Sequence, residues 1–208
     1  MKKLLLLTMT LVVIISCCAS LCFAKEFPDV AKDHWAYRYI DELSNQGVIN
    51  GYDDGTYKPS GTITRGEFTK LVIAACLPSD IDKSDLMSEF NHWAAPYVWV
   101  AEQYGVLEKG EFNEDNIDKP ITRLEMVRLV SNADISFKES KVDTSRPEQD
   151  FMDVVDMSDE DYALLCHAVN SGLVKGYEDY TFRPENTMTR AEAATMIWRF
   201  NGGREVAQ

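Results

Sequence analysis

A four-residue stretch that occurs three times constrains this chain more than any other feature. Each copy runs from threonine through arginine to glutamate, at Thr64–Glu67, Thr122–Glu125 and Thr189–Glu192. Each copy also opens an apolar run with helical spacing, and a glycine lies 17 residues before each threonine. Because three identical spacings rarely arise by chance, the sequence predicts a triplicated structural unit.

The four residues themselves predict the start of a helix and a site for an anion. Threonine followed three positions later by glutamate is a capping box, which explains those two residues. It does not explain the arginine, because a helix N-terminus already carries partial positive charge. Free backbone N–H groups beside a guanidinium favour a bound carboxylate or phosphate. Arg65, Arg123 and Arg190 are therefore candidate ligand-binding residues.

The first 24 residues have the features of an export signal. Lys2 and Lys3 precede an apolar run, and a small-x-small site ends at Ala24, so cleavage is predicted after that residue. The run is short for a bilayer span, so no integral membrane span is expected after processing. A segment ending at Cys17 also resembles a lipoprotein box, and acylation at that cysteine stays open as an alternative.

Charge argues against a nucleic-acid partner. The formal net charge is −13, and no basic stripe occurs along the chain. Binding to a polyanion would therefore need a local cationic pocket. Only Cys76 and Cys166 lie outside the leader. Their apolar helical surroundings predict buried thiols, although the sequence leaves a disulfide open.

The chain divides into repeats of helix, ordered loop and helix. The predicted divisions are residues 1–24 (signal peptide), 25–78 (repeat one), 79–137 (repeat two, diverged), 138–150 (linker), 151–201 (repeat three) and 202–208 (tail). The charged linker is expected to be flexible and protease-sensitive. The first helix is expected to open at His34-Trp35, with Trp35, Tyr39, Ile40 and Leu43 on one face. Two short helices cannot bury their apolar faces alone, so a mainly α fold with three repeats packed as a pseudo-threefold trimer is predicted.

Several further motifs resemble the S-layer homology family. They are Phe-x-Asp-Val at 27–30, His-Trp-Ala at 34–36, the loop at 47–59 and the three Thr-Arg-x-Glu stretches. The resemblance extends from Phe27 to about Phe200. Repeat two lacks the Phe-Asp opening and most of the loop motif, and repeat three has Glu160 where the others have tryptophan.

The resemblance implies a module that holds an exported protein noncovalently on the bacterial cell wall, within or beneath a surface layer. The implied ligand is an anionic secondary wall polysaccharide, often pyruvylated, that lies in grooves between repeats and pairs with the motif arginines. One or two working grooves are expected, because the repeat-two loop departs from the pattern. The implied binding residues are Arg65, Arg190, Arg123, Gly51, Tyr52, Gly176, Tyr177, Trp35, Trp93, Asp29 and Asp153.

Other functional classes were weighed on the residues. No serine elbow, cysteine pair or histidine cluster with metal-ligand spacing occurs, so neither catalysis nor a cofactor is predicted. The loop from Asn50 resembles a calcium loop but has Tyr52 and Gly61 at two ligand positions, so no metal site is predicted. A structural role in surface-layer assembly, through protein partners, stays open.

Overall fold

The chain folds into six helices within the part that the computed structural model describes, residues 26–77, 90–148 and 150–203. They are α1 (Tyr37–Asn45), α2 (Arg65–Cys76), α3 (Ala95–Gln103), α4 (Arg123–Lys138), α5 (Asp159–Asn170) and α6 (Arg190–Phe200). No regular strand occurs in these ranges, which confirms the predicted mainly α class. None of these helices is both long and apolar enough to cross a membrane. The signal peptide, the connector at 79–89 and the end of the tail lie outside the described residues.

The second helix of every repeat begins at a capping box, as predicted. Thr64, Thr122 and Thr189 each accept a hydrogen bond from the backbone N–H of the motif glutamate, whose side chain bonds back to the threonine N–H. The first helices of repeats one and two have no side-chain cap, since alanine stands at the N-cap position. The repeated motif therefore stabilises the central helices rather than the peripheral ones.

Helix packing joins one repeat to the next. The second helix of repeat one (α2) packs against the first helix of repeat two (α3), and α4 packs against α5 in the same way. The series closes when α6, the last helix, packs against α1. The three second helices also contact one another. Each repeat therefore completes its core with a helix from its neighbour.

A ring of three backbone hydrogen bonds lies at the centre of the molecule. The N–H of Ile63 donates to Met188 O, that of Met188 to Ile121 O, and that of Ile121 to Ile63 O, at 3.0, 3.3 and 3.1 Å. All three side chains are buried. Each of these residues directly precedes a motif threonine, so equivalent positions of the three repeats meet here. This cyclic order agrees with the predicted pseudo-threefold arrangement.

The expectation of free N–H groups at the helix starts was wrong. At α2 the N–H groups of Arg65 and Gly66 donate to the carbonyls of Lys119 and Ile117 in the next repeat's loop. The first two N–H groups of α4 and α6 are bonded in the same manner, to the loops of repeats three and one. These buried donors need partners, and the neighbouring repeat supplies them. An anion therefore cannot be held by open helix N-termini.

Trp35 lies before α1, contrary to the expectation that the helix opens at His34-Trp35. The helix begins at Tyr37, and the Trp35 side chain is 59% exposed. The N–H of Ala36 donates to Nδ1 of His34, and this local bond turns the chain before the helix starts. Ala36, rather than Trp35, is the fully buried residue of this segment.

The predicted linker is held against α5. Lys138 is the last residue of α4, and Asn170 Nδ2 donates to Ser145 O further along at 2.9 Å. Pro147 is buried, and the N–H of Asp143 donates to the His167 ring. These contacts limit the motion of a segment expected to be flexible. Its protease sensitivity stays a prediction.

The two cysteines of the fold are free thiols. Cys166 is buried, as predicted, whereas Cys76 is partly exposed at the end of α2. Burial raises the pKa of both thiols, and that of Cys76 to about 12. Both are therefore protonated and unreactive near neutral pH.

Candidate binding grooves

A groove of about 340 Å³, termed here the first groove, lies between repeat one and its two neighbours. The repeat-one loop and α2 form one side, and residues preceding α3 and opening α6 complete it. It brings together four of the residues implied by the resemblance: Gly51, Tyr52, Trp93 and Arg190. The remaining lining residues are Val48, Ile49, Asn50, Thr64, Glu67, Lys70, Leu71 and Asp118.

Asp29 and Asp153 shape the loops instead of facing a groove. The Asp29 carboxylate accepts the N–H groups of Tyr57 and Lys58 at 2.9 and 2.7 Å. Lys58 has a φ of 58°, a left-handed conformation that the paired bonds stabilise. Asp153 binds the equivalent two N–H groups in repeat three. These aspartates therefore fold the loops that line the grooves.

Gly51 and Gly176 are required by close packing. A Cβ on Gly51 would lie 2.3 Å from the ring of Phe27, and one on Gly176 would lie 2.0 Å from the ring of Phe151. Gly51 also has a φ of 66°, which favours glycine. The phenylalanine that opens each of these repeats thus packs directly beneath the loop.

Arg190 forms an ion pair across the boundary between repeats three and one. Its Nη1 lies 2.9 Å from Glu67 Oε1, and its Nε donates to Tyr57 O at 2.7 Å. Glu67 also accepts the hydroxyl of Tyr52 at 2.8 Å, and burial raises the pKa of that tyrosine to about 12. The guanidinium lies over both tyrosine rings. The motif glutamate that caps α2 therefore also holds the arginine of another repeat.

Arg65 repeats this arrangement between repeats one and two. Its Nε and Nη2 both bond to the Glu125 carboxylate, at distances from 2.5 to 3.2 Å. The guanidinium lies 5.4 Å from the ring of Phe112. In both cases the arginine of one motif binds the glutamate of the next motif in the cyclic order.

Arg123 departs from this pattern. Its Nη2 donates to Lys175 O at 2.5 Å, and its guanidinium lies 4.9 Å from the rings of both Tyr177 and Phe182. The residue is only 7% exposed, yet its Nε is buried without any hydrogen-bond partner. Burial lowers the pKa of this guanidinium. Arg123 thus brings a buried, incompletely bonded cation to the repeat-three loop that contains Gly176 and Tyr177. Because this loop corresponds in sequence to the loop of the first groove, Arg123 and the loop are termed here the third groove.

A middle groove of about 540 Å³ lies between repeats two and three. Arg128 from α4 makes a bidentate contact with Asp161 of α5, with Nε–Oδ1 and Nη2–Oδ2 distances of 2.5 and 2.7 Å. The contact lowers the pKa of Asp161. Glu111 and Glu160 also line this groove. The middle groove therefore has more carboxylates in its lining than the first groove.

Among the charged residues of the first groove, the sequence reasoning missed Lys70 and Asp118, and it missed a second role for the motif glutamates. Lys70 lies three positions after the motif glutamate, so extending the motif by one helical turn would have found it. Asp118 lies in the diverged repeat-two loop, where no pattern pointed to it. Glu67 and Glu125 were interpreted only as caps, because sequence spacing does not show contacts between repeats.

The two exposed tryptophans occupy equivalent positions. Trp35 and Trp93 are 59% and 52% exposed, and each ring lies against the preceding histidine. Trp93 lines the first groove. No cluster of three or more metal-ligating side chains occurs in the described ranges.

Comparison with known proteins agrees with these features. The family described as the S-layer homology domain matches residues 26–69 and 166–194. The chain is 31% identical over 193 residues to an S-layer protein of Bacillus thuringiensis subsp. finitimus, covering 88% of this chain and 22% of that protein. It is 33% identical over 180 residues to an S-layer protein of Bacillus licheniformis, covering 83% and 19% respectively.

An enzyme is also among the relatives. The chain is 29% identical over 181 residues to an amylopullulanase of Thermoanaerobacterium thermosulfurigenes, and the match covers 85% of this chain and 9% of the enzyme. The chain therefore spans less than a quarter of the length of each of these three relatives. What they share with it is one region of a longer protein.

Proposed function

Because this chain carries the S-layer homology domain, we propose that it attaches noncovalently to an anionic, pyruvate-bearing secondary polysaccharide of a bacterial cell wall. The domain is present in S-layer proteins and in an enzyme of different chemistry. A segment shared by such different proteins is well explained as a surface anchor. The chain itself then acts by recognition and not by catalysis.

The observation that carries this proposal is the composition of the first groove. It combines an exposed Trp93 ring, the Tyr52 hydroxyl and the cations Lys70 and Arg190 in one cavity of about 340 Å³. An aromatic ring suits the apolar face of a sugar, and cations suit a carboxylate. Because the net charge is −13, binding to a polyanion depends on local cations such as Lys70, which lines this groove.

The structure suggests a division of roles among the cations. Arg65 and Arg190 already bind protein carboxylates, so we assign them to holding neighbouring repeats in place around the grooves. We assign Lys70, which lines the first groove, and Arg123, whose Nε has no hydrogen-bond partner, to contact with a ligand carboxylate. A charge-assisted hydrogen bond contributes roughly 1.5–3 kcal/mol, or about ten- to a hundredfold in affinity.

Co-sedimentation with purified cell-wall sacculi tests this function. Residues 25–208 would be mixed with native sacculi and with sacculi stripped of secondary polysaccharide. We expect sedimentation with native walls only. Lys70→Gln and Arg123→Gln should each weaken binding at least tenfold. Lys32→Gln is the matched control, because its side chain is exposed and lies outside the grooves. Circular dichroism would check that each variant is folded.

Two results would contradict the proposal. Equal binding to native and stripped walls would exclude the polysaccharide as ligand. Equal loss of binding in Lys32→Gln and Lys70→Gln would show that overall charge, and not the groove, controls attachment.

An exposed apolar patch favours a second candidate, assembly with other surface proteins. Met152, Val155 and Tyr180 are 68%, 85% and 60% exposed, and the N–H of Met152 donates to Tyr180 O. Such a patch suits contact with a protein. Analytical ultracentrifugation of the wild type and of Val155→Ser tests it. Self-association that the substitution removes would support assembly, and a monomer at all concentrations would exclude association between copies of this chain.

A further inference from the structure

The middle groove differs from the first groove in charge and not in available space. At about 540 Å³ it is the larger of the two. Its lining contains one cation, Arg128, whereas its carboxylates are Glu108, Glu111, Glu160 and Asp161. The first groove has two cations and two carboxylates in its lining. An acidic sugar entering the middle groove would therefore meet net negative charge.

The two grooves differ at positions that correspond in the repeat. Counted from the glycine that follows each first helix, Arg128 occupies the place of Lys70, and Asp161 the place of Ala94. Ala94 is fully buried and has no group that could bind a cation. Asp161 puts a carboxylate at this position, directly against the side chain of Arg128.

Each of the three side-chain nitrogens of Arg128 lies within 4 Å of a protein carboxylate. Nε and Nη2 bond to Asp161, and Nη1 lies 3.8 Å from a carboxylate oxygen of Glu111. Asp161 is itself held in position, because the Ser158 hydroxyl donates to its Oδ2 at 2.8 Å. A ligand carboxylate would have to displace a pair that is already oriented for bidentate bonding.

The aromatic surface is also lost from the middle groove. Glu160 lies where the first groove has Trp93, and it lines the middle groove. The site thus lacks the exposed ring on which a sugar could stack and has another negative charge there instead.

We propose that the Asp161 carboxylate binds Arg128 where the carboxylate of a ligand would otherwise bind. Asp161 thereby closes the middle groove to acidic sugars. This inference rests on the proposed function and specifies which grooves perform it. The inference removes the middle groove as a site for an acidic sugar and leaves the first groove as one. The Arg128–Asp161 pair serves instead as a fixed joint between α4 and α5.

Titration of the isotope-labelled protein with a pyruvate-ketal methyl glycoside, followed by NMR, tests the inference. The reporters are the Arg128 Nε–H group, the Val106 amide in the middle groove and the Ile49 amide in the first groove. In the wild type, Ile49 should shift saturably while Arg128 and Val106 stay unchanged. In Asp161→Ala, both middle-groove signals should respond, with at least tenfold tighter binding there than in the wild type.

Two further variants make the test specific. Asp159→Ala removes one carboxylate from the same helical turn without altering the groove lining, so it should not open the groove. Asp161→Asn keeps the side-chain shape while removing its charge, and it replaces the alanine variant if that variant does not fold. It should open the groove as well.

The outcomes separate the inference from the function on which it rests. A wild-type Arg128 that responds at the same concentrations as Ile49 overturns the inference. So does a response of Ile49 with no gain in either Asp161 variant, or an equal gain in Asp159→Ala. If Ile49 does not respond in the wild type, the acidic-sugar function itself fails, and the inference falls with it.

Discussion

The starts of α6 and α4 have the same Thr-Arg-x-Glu pattern, yet their arginines have different partners. Arg190 binds the Glu67 carboxylate at 2.9 Å. Arg123 binds a backbone carbonyl, lies against two aromatic rings and has a buried Nε without a partner. The shared motif therefore determines the cap but not the partner of the long side chain. Arg190 thereby joins two repeats, whereas Arg123 keeps a buried Nε without a hydrogen-bond partner, which we assign to a ligand in the proposal above.

The largest effect expected from this contrast is on stability. Arg190→Met leaves the largely buried Glu67 carboxylate without its cation and removes the bond to Tyr57 O. Breaking such a pair from one side costs about 3–5 kcal/mol. Urea unfolding followed by circular dichroism measures this change. A loss below about 1 kcal/mol would show that the pair does not hold repeats three and one together.

Glu67→Gln tests the other side of the same pair and should have a smaller effect. The single amide oxygen can still accept the Thr64 N–H, but an NH2 group then replaces the oxygen that accepts from the Tyr52 hydroxyl and Arg190, and the charge that Arg190 binds is lost. We expect a loss of about 1–3 kcal/mol, as for a hydrogen bond to a charged group. A double-mutant cycle with Arg190→Met should show strong coupling. Additive effects would contradict the assigned pairing.

In contrast to Arg190→Met, the substitution Arg123→Met should affect wall binding more than stability. The substitution removes a buried cation that has no protein carboxylate, so the free energy of unfolding should change by no more than about 1 kcal/mol. Binding to sacculi should nevertheless weaken at least tenfold, by about 1.4 kcal/mol. Urea unfolding and co-sedimentation measure the two effects. A large loss of stability without loss of binding would make Arg123 a structural residue like Arg190.

Acid should affect the contact between α4 and α5 before the contact between α2 and α3. Arg128 lowers the pKa of Asp161, whereas the corresponding position at α3 is Ala94. This stabilisation is present above the pKa of an unfolded aspartate, roughly 4, and is lost as pH falls through the lower folded value. Hydrogen exchange at low pH should therefore rise in α5 first. Asp161→Asn should abolish this pH dependence, and an unchanged profile would contradict the assignment.

The smallest expected effect on stability is that of removing an exposed aromatic ring, in comparison with a ring in the core. Trp35→Ala should change the free energy of unfolding by no more than about 0.5 kcal/mol, because the side chain is 59% exposed. Its effect on wall binding should be larger, because its exposed ring corresponds in the repeat to Trp93, which lines the first groove. Trp198→Ala is the comparison, since that ring is buried, and should cost about 3–5 kcal/mol. Similar losses in the two variants would contradict the exposed position of Trp35.

The starts of the second helices and the ends of the first helices could be predicted from sequence, because capping residues and glycines act on neighbouring positions in the chain. The capping boxes begin α2, α4 and α6 at the motif threonines, and glycine with positive φ follows each first helix. The position of Trp35 could not be predicted, because its apolar character resembles that of a core residue. A bond between His34 and Ala36 decides where the helix starts.

The candidate sites were only partly predictable, because they form between repeats. Gly51, Tyr52, Trp93 and Arg190 do meet in one groove. The partners of the arginines could not be foreseen, since Glu67 lies 123 positions from Arg190 in sequence. Nor does a sequence show that carbonyls from another repeat satisfy the N–H groups at the helix starts. Each of these features depends on contacts far apart in the chain.

The closing contact between α6 and α1 has a consequence for how the chain acquires its fold. The first helix ends at Asn45 and its packing partner begins at Arg190, so the core of repeat one stays incomplete until the last helix is available. Contacts this distant in sequence slow folding, because a long loop must close before they form. A chain emerging N-terminus first would therefore keep repeat one incompletely packed until residues Arg190–Phe200 have emerged. The formation of α6 is then the step that completes the shared core.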